Sequence, residues 1–452
     1  MQFERDKSFY KKILLIGGPV SAQQIITVGV NLMDNVMLGQ LDEVALSSST
    51  IAVQVHTLFN YMCMGMGMGA TVLLSRYWGA KDLKNFKKTL AWMYRFCLLV
   101  SVTFTVVVAL FPAQIMGIFT VEPDVIAEGV RYLKWALPCF LLYGFSLTTT
   151  ITLRNSGKMY IPLGTSIGAF FINIFFNWVF IFGKLGAPEM GVAGAALGTL
   201  ISRAFEFTVI CGYFFVIDKR KLFCPRNLFM PCRDLFREYL HFSLPVMVSD
   251  TLLGLGNSAI TAVSGHIGIM FMSANSITTV VQHISTILSS GLGQAALIIT
   301  GNTLGEGDIE KTRRQSNTLV VVAFIFGVIV SLFILAAGPV IVGFYQIEPE
   351  TKEIALSLLR ALSVVMIFML PSNILTKGIL RGGGDTTFLM VADVVFLWAV
   401  SVPLGWCAGI LWGLPPFWIM FFMKIENIFK LVLCLFRMRR GRWIKQIRTD
   451  RA

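Results

Sequence analysis

A chain of 452 residues that is 55% hydrophobic and only 14% charged, with a mean hydropathy of +0.72, has too few charges to cover its apolar mass as a soluble protein. Long uninterrupted apolar runs exclude a barrel, whose strands alternate in short segments, and leave helices that cross a bilayer. The net charge of +13 fits basic residues in the cytoplasmic loops of a membrane protein, so no nucleic acid is expected as a partner.

The N-terminus, MQFERDKSFYKK, is charged. The apolar stretch behind it is too long for a signal core and lacks a small-residue cleavage site, so no cleaved signal is expected. About 20 apolar residues are needed to cross about 30 Å of hydrocarbon. On that scale the chain reads as an all-α polytopic membrane protein of about twelve transmembrane helices. The first six lie near 13–38, 45–74, 89–111, 128–153, 159–182 and 191–217, and the next six near 239–263, 268–300, 316–338, 353–379, 387–409 and 412–436.

The connections sort by charge. Arg76, Lys81, Lys84, Lys87 and Lys88 follow the second span, Arg154 and Lys158 the fourth, and Lys219, Arg220, Lys221, Arg226, Arg233 and Arg237 the sixth. Lys311, Arg313 and Arg314 follow the eighth, Lys377 and Arg381 the tenth, while the opposite loops carry chiefly acids such as Asp42, Glu122, Asp124, Glu348 and Glu350. This alternation sets both termini in the cytoplasm of a multi-pass protein of the cell membrane and requires an even number of crossings.

The connection 218–238 is the longest and most charged and holds two prolines, which marks a boundary. It divides residues 1–217, an N-terminal six-helix bundle, from residues 239–452, a C-terminal six-helix bundle with a basic cytoplasmic tail. The two are copies. Pro19 and Pro245, Gly39 and Gly265, Gly65 and Gly291, Asp82 and Asp308, and Glu122 and Glu348 all stand 226 apart, and Arg154 meets Arg381 at 227. Two pseudo-symmetric bundles in the same orientation are therefore expected, with the substrate pathway between them.

Several features read as structure. The eight cysteines form no C-x-x-C pair and behave as small hydrophobes. The run Gly65–Gly69 lacks the G-K-[ST] of a phosphate loop and suits close helix packing or bending. The four histidines show no metal spacing, and no nucleophile or nucleotide motif points to an enzyme.

Taken in order, P-x14-D-x4-G (Pro19, Asp34, Gly39), the G-x-G…G-A-K-D run through Asp82, L-R-N-S-G at 153–157, G-V-A-G-A-A-L-G-T at 191–199, L-R-G-G-G-D-T at 379–386 and R-W-I near the tail resemble the multidrug and toxic compound extrusion (MATE) family. The resemblance covers nearly the whole chain. It implies two six-helix bundles around a central cavity and export of organic, often cationic compounds driven by inward Na⁺ or H⁺. No cofactor beyond that coupling ion is expected, the partners are small organic molecules and the bilayer, and the protein is expected to be a monomer.

Asp34 lies about 21 residues into its span, so spacing alone leaves it either interfacial and solvated or buried for function. The resemblance favours a coupling acid, since a carboxylate binds a proton or offers hard oxygens to Na⁺. Asn173 and Asn177 are one turn apart on one face. With Thr199 they match a cation site of family members, except that the family's acid is an amide at Asn177; the alternative is hydrogen bonding between helices. The acid of the family's other cation site is replaced by Leu370, so that site is expected to be absent. Asp250 and Asn257, with Asn275 and Gln282, form a candidate polar pocket in the C-terminal half. Arg203 with Glu206, and Lys424 with Glu426, are expected to be paired or to face a cavity, because an unpaired charge in lipid is costly, and to be structural or gating groups in preference to substrate-binding ones. Asp393 has no evident partner. The competing reading, a lipid-linked precursor flippase of the wider superfamily, requires a strongly basic central cavity, whereas most basic residues map to loops.

Overall fold

The computed structural model describes residues 3–218, 222–345 and 347–447. Lys219, Arg220 and Lys221 of the linker and the last residues of the basic tail lie outside these. Among the described residues every regular element is helical, as expected where the surroundings offer the backbone no partner and each segment must bond to itself.

Eleven helices among the described residues are long and apolar enough to cross a membrane: α1 Lys7–Leu38, α2 Val44–Gly79, α3 Leu83–Leu110, α4 Pro123–Asn155, α5 Tyr160–Ile181, α6 Val192–Ile217, α7 Arg233–Ile267, α8 Ile269–Glu306, α9 Ile309–Gly343, α10 Pro349–Leu380 and α11 Thr386–Leu411. The twelfth crossing is broken into α12, Pro416–Met423, and α13, Glu426–Arg439. The break coincides with two buried charges, Lys424 and Glu426. There the Glu426 N–H turns to the Ser401 hydroxyl, 3.2 Å away.

The internal repeat is visible in the backbone. Pro19 and Pro245 both sit inside helices, in α1 and α7. Lys81 and Gly307, 226 residues apart, take left-handed conformations with φ of 58° and 88°, and Gly157 and Gly384 do the same with 83° and 86°. A side chain resists that conformation, so Lys81 holds at some cost a turn that its counterpart fills with glycine.

The chain packs as two compact units. One comprises Ala22–Ala70 and Leu83–Leu240; the other comprises Met1–Ser21, Thr71–Asp82 and His241–Ala452. One division between the units falls after Leu240. The segments 1–21 and 71–82, however, pack with the second half of the chain, unlike the plain division into 1–217 and 239–452. Glycine explains the transfer. A Cβ at Gly17 would meet the Gly291 backbone, one at Gly79 the Asn302 carbonyl, one at Gly301 the Ser75 hydroxyl and one at Gly305 the Arg76 carbonyl. Bare backbones therefore bring the start of α1 and the end of α2 onto α8.

In the first unit the described part of the linker is bound along α3. Trp92 Nε1 donates to the Cys232 carbonyl at 2.8 Å. Arg95 donates to the carbonyls of Leu228 at 2.6 Å and Met230 at 2.7 Å, and Tyr94 stacks on Phe223 at 5.1 Å.

Candidate functional site

Asp34 sits in the last turns of α1, partly buried. Its Oδ1 accepts the side-chain amide of Asn177 at 2.5 Å. The same amide reaches Asn173 Oδ1 at 3.3 Å, and Asn173 donates in turn to Thr199 Oγ1 at 3.4 Å. All four residues named from the sequence thus form one chain of hydrogen bonds across α1, α5 and α6. Asn173 and Asn177 are 1% and 0% exposed, so these are interior polar groups. The carbonyl oxygen of Asn177 is buried and accepts no hydrogen bond.

Local packing produces this. G-V-A-G-A-A-L-G-T places Gly194 and Gly198 one turn apart on α6. A Cβ at Gly194 would meet the Phe180 carbonyl, and one at Gly198 would land on Asn177 Oδ1. The small-residue face lets α5 and α6 approach closely and presses Asn177 towards α1. The cluster offers one carboxylate, two amide oxygens and a hydroxyl: hard oxygen ligands suited to an alkali cation, or a single acid suited to a proton.

Arg203 and Glu206 pair at 2.6 Å, and the guanidinium lies over the Tyr143 ring at 4.9 Å. Tyr143 donates to Asn60 Oδ1 at 2.8 Å. A neighbouring set was missed by sequence reasoning. Arg154 donates to Gln23 Oε1, and Gln23 Nε2 donates to Ser166 Oγ at 2.8 Å. The available signal was a glutamine and an arginine that membrane packing oblige to find partners.

In the second unit the expected polar pocket is not gathered. Asp250 is engaged by Arg381, at 3.1 Å and 3.4 Å. Asn275 donates to Ser264 at 3.3 Å, Asn257 is exposed and Gln282 half-buried. No hydrogen bond joins the side chains of these four among the described residues. The expected Lys424–Glu426 pair also gives way. Glu426 meets Lys430 at 3.7 Å, and Lys430 meets Asp393 at 3.3 Å. The reason is local: Lys424 lies in the break before α13, whereas Lys430 stands one turn along that helix from Glu426 and shares its face.

The sequence profile of the MatE family matches residues 19–179 and 245–407, more than half of the chain and one copy per half. The chain belongs to the MATE transporter family. MATE relatives include a probable multidrug resistance protein NorM of Thermotoga maritima, 24% identical over 96% of this chain and 93% of that one. Another is the human multidrug and toxin extrusion protein 1, 23% identical over 87% of this chain and 68% of its own length. A crystal structure of MATE in the bent conformation shares the fold, with a TM-score of 0.87 at 18% identity, covering 96% of this chain and 95% of that one. The helical MATE fold read from the sequence is therefore that of a multi-pass membrane transporter.

Proposed function

We propose that this MATE protein is a secondary antiporter of the cell membrane that exports organic, often cationic compounds in exchange for Na⁺ or H⁺. It works as a monomer with both termini in the cytoplasm. Asp34 is the coupling acid, and Asn173, Asn177 and Thr199 supply the other oxygens of the ion site. The observation that carries this reading is the Asp34–Asn177 bond inside two membrane helices. A carboxylate within a membrane helix is costly unless it is partnered, a cost that occupancy by a cation or a proton offsets.

The names of the relatives, multidrug resistance and multidrug extrusion proteins, support organic compounds as substrates. With the family's acid replaced by Asn177, one carboxylate remains in the site, which favours one monovalent cation or one proton per cycle. Efflux of the lipophilic cation tetraphenylphosphonium from proteoliposomes, under an imposed sodium or proton gradient, tests the reading. Efflux that follows one gradient supports it and names the ion; efflux indifferent to both overturns it.

A further inference from the structure

The linker makes one short 3₁₀ turn, Pro225–Phe229, and passes through Pro231 before α7 begins. In such a turn residues three apart stand one above the other, so Arg226 and Phe229 share an edge. Both are exposed, Phe229 at 84%. Behind that edge the chain is tied to α3. Arg95 donates to the carbonyls of Leu228 and Met230 and reaches Cys232 Sγ at 3.0 Å. These bonds keep the arginine and the ring turned outward.

The edge stands where a membrane span begins. Helix α7 starts at Arg233, and the Phe236 ring lies 4.6 Å from that of Trp92 on α3, the tryptophan whose Nε1 holds the Cys232 carbonyl. The linker turn is therefore level with the first turns of α7, in the layer where aromatic and basic side chains meet lipid headgroups. A phenylalanine left open at that level is stabilised by entering the upper acyl region.

Charge points the same way. Two acids of this region are already matched: Lys88 holds Asp234, and Lys158 holds Asp218 at 2.8 Å. Arg226, Arg233 and Arg237 are exposed and make no ion pair among the described residues. Arg233 and Arg237 are four residues apart at the start of α7 and share a face. Guanidinium groups without counter-charge, beside an open aromatic ring at a bilayer boundary, suit one chemistry: a negatively charged phosphate ester that carries acyl chains.

We infer that this face of the linker binds an anionic phospholipid, with the arginines on its phosphate and Phe229 among its acyl chains. A guanidinium meets a phosphate with two parallel N–H donors. A zwitterionic lipid, whose own ammonium already neighbours its phosphate, satisfies these groups less well. The site goes beyond the transport reading and does not rest on it.

Photo-cross-linking of the full-length protein in lipid nanodiscs tests this, using phosphatidylglycerol or phosphatidylcholine with a diazirine on one acyl chain and peptide mapping of the adducts. In the wild type, phosphatidylglycerol is expected to label residues 225–237 several-fold more than phosphatidylcholine. Combining Arg226→Gln, Arg233→Gln and Arg237→Gln should lower that labelling by about fivefold for each arginine removed, with Tm close to wild type. Phe229→Ser should lower it with the arginines intact. Equal labelling of the segment by the two lipids, wild-type adducts that all map elsewhere, or labelling unchanged in the triple variant would overturn the inference. If the triple variant fails to fold, the comparison of the two lipids on wild type decides alone.

Discussion

Asn177 donates its amide to Asp34 at 2.5 Å while its own carbonyl oxygen, fully buried, accepts nothing. One end of the amide holds the acid, and the other packs against Gly198 without a hydrogen bond. That relationship makes position 177 the sharpest place to perturb the site.

Asn177→Asp puts a second carboxylate within hydrogen-bond reach of Asp34. Two carboxylates this close in a poorly hydrated interior repel, so the variant should melt below wild type, and adding Asp34→Asn should recover much of the loss; a double variant as unstable as the single one would contradict the shared site.

Gly198 carries the approach of α6 to Asn177. In Gly198→Ala the new methyl meets the Asn177 side chain, and overpacking of this kind costs about 1–3 kcal/mol. A lower Tm with weakened ion binding is expected. Gly212→Ala on the same helix, where a Cβ meets nothing, is the control and should leave both unchanged or slightly improve stability.

Arg381 is 5% exposed at its side chain and faces Asp250 at 20%. Asp250→Ala leaves a buried guanidinium without its counter-charge, at about 3–5 kcal/mol. Adding Arg381→Met should recover much of that loss in denaturation of the purified protein. If the double variant is as unstable as the single one, Asp250 acts through something other than Arg381.

Lys158, in the connection between α4 and α5, holds Asp218 at 2.8 Å and Tyr213 at 2.9 Å. Desolvation opposes its charge, but these bonds outweigh it and raise its pKa above the ordinary lysine value. The anchor is complete below that ordinary value and is lost as pH rises through the raised one. Hydrogen exchange at the end of α6 should therefore accelerate only in strongly alkaline solution, and Lys158→Met should show the fast exchange already at neutral pH.

What the sequence disclosed follows from which forces are local. Span lengths and the 226-residue register are set by hydrocarbon thickness and turn chemistry, and the left-handed pairs Lys81–Gly307 and Gly157–Gly384 repeat that register in the backbone. Asn173 and Asn177 were legible as one face through their spacing, and Asp34 and Thr199 joined them through the family resemblance. The Lys424–Glu426 pair was misjudged although i, i+4 spacing already favoured Lys430. Asp250 with Arg381, 131 residues apart, left no local mark. Nor did the transfer of 1–21 and 71–82 to the second unit, which depends on glycines meeting backbones far along the chain.

The most direct measurement is gradient-driven efflux of tetraphenylphosphonium from proteoliposomes carrying wild type or Asp34→Asn at matched orientation and folded content. With Asp34 as the coupling acid, the variant's efflux falls to the leak of protein-free vesicles while its Tm stays close to wild type. Coupled efflux at the wild-type rate from Asp34→Asn would contradict it.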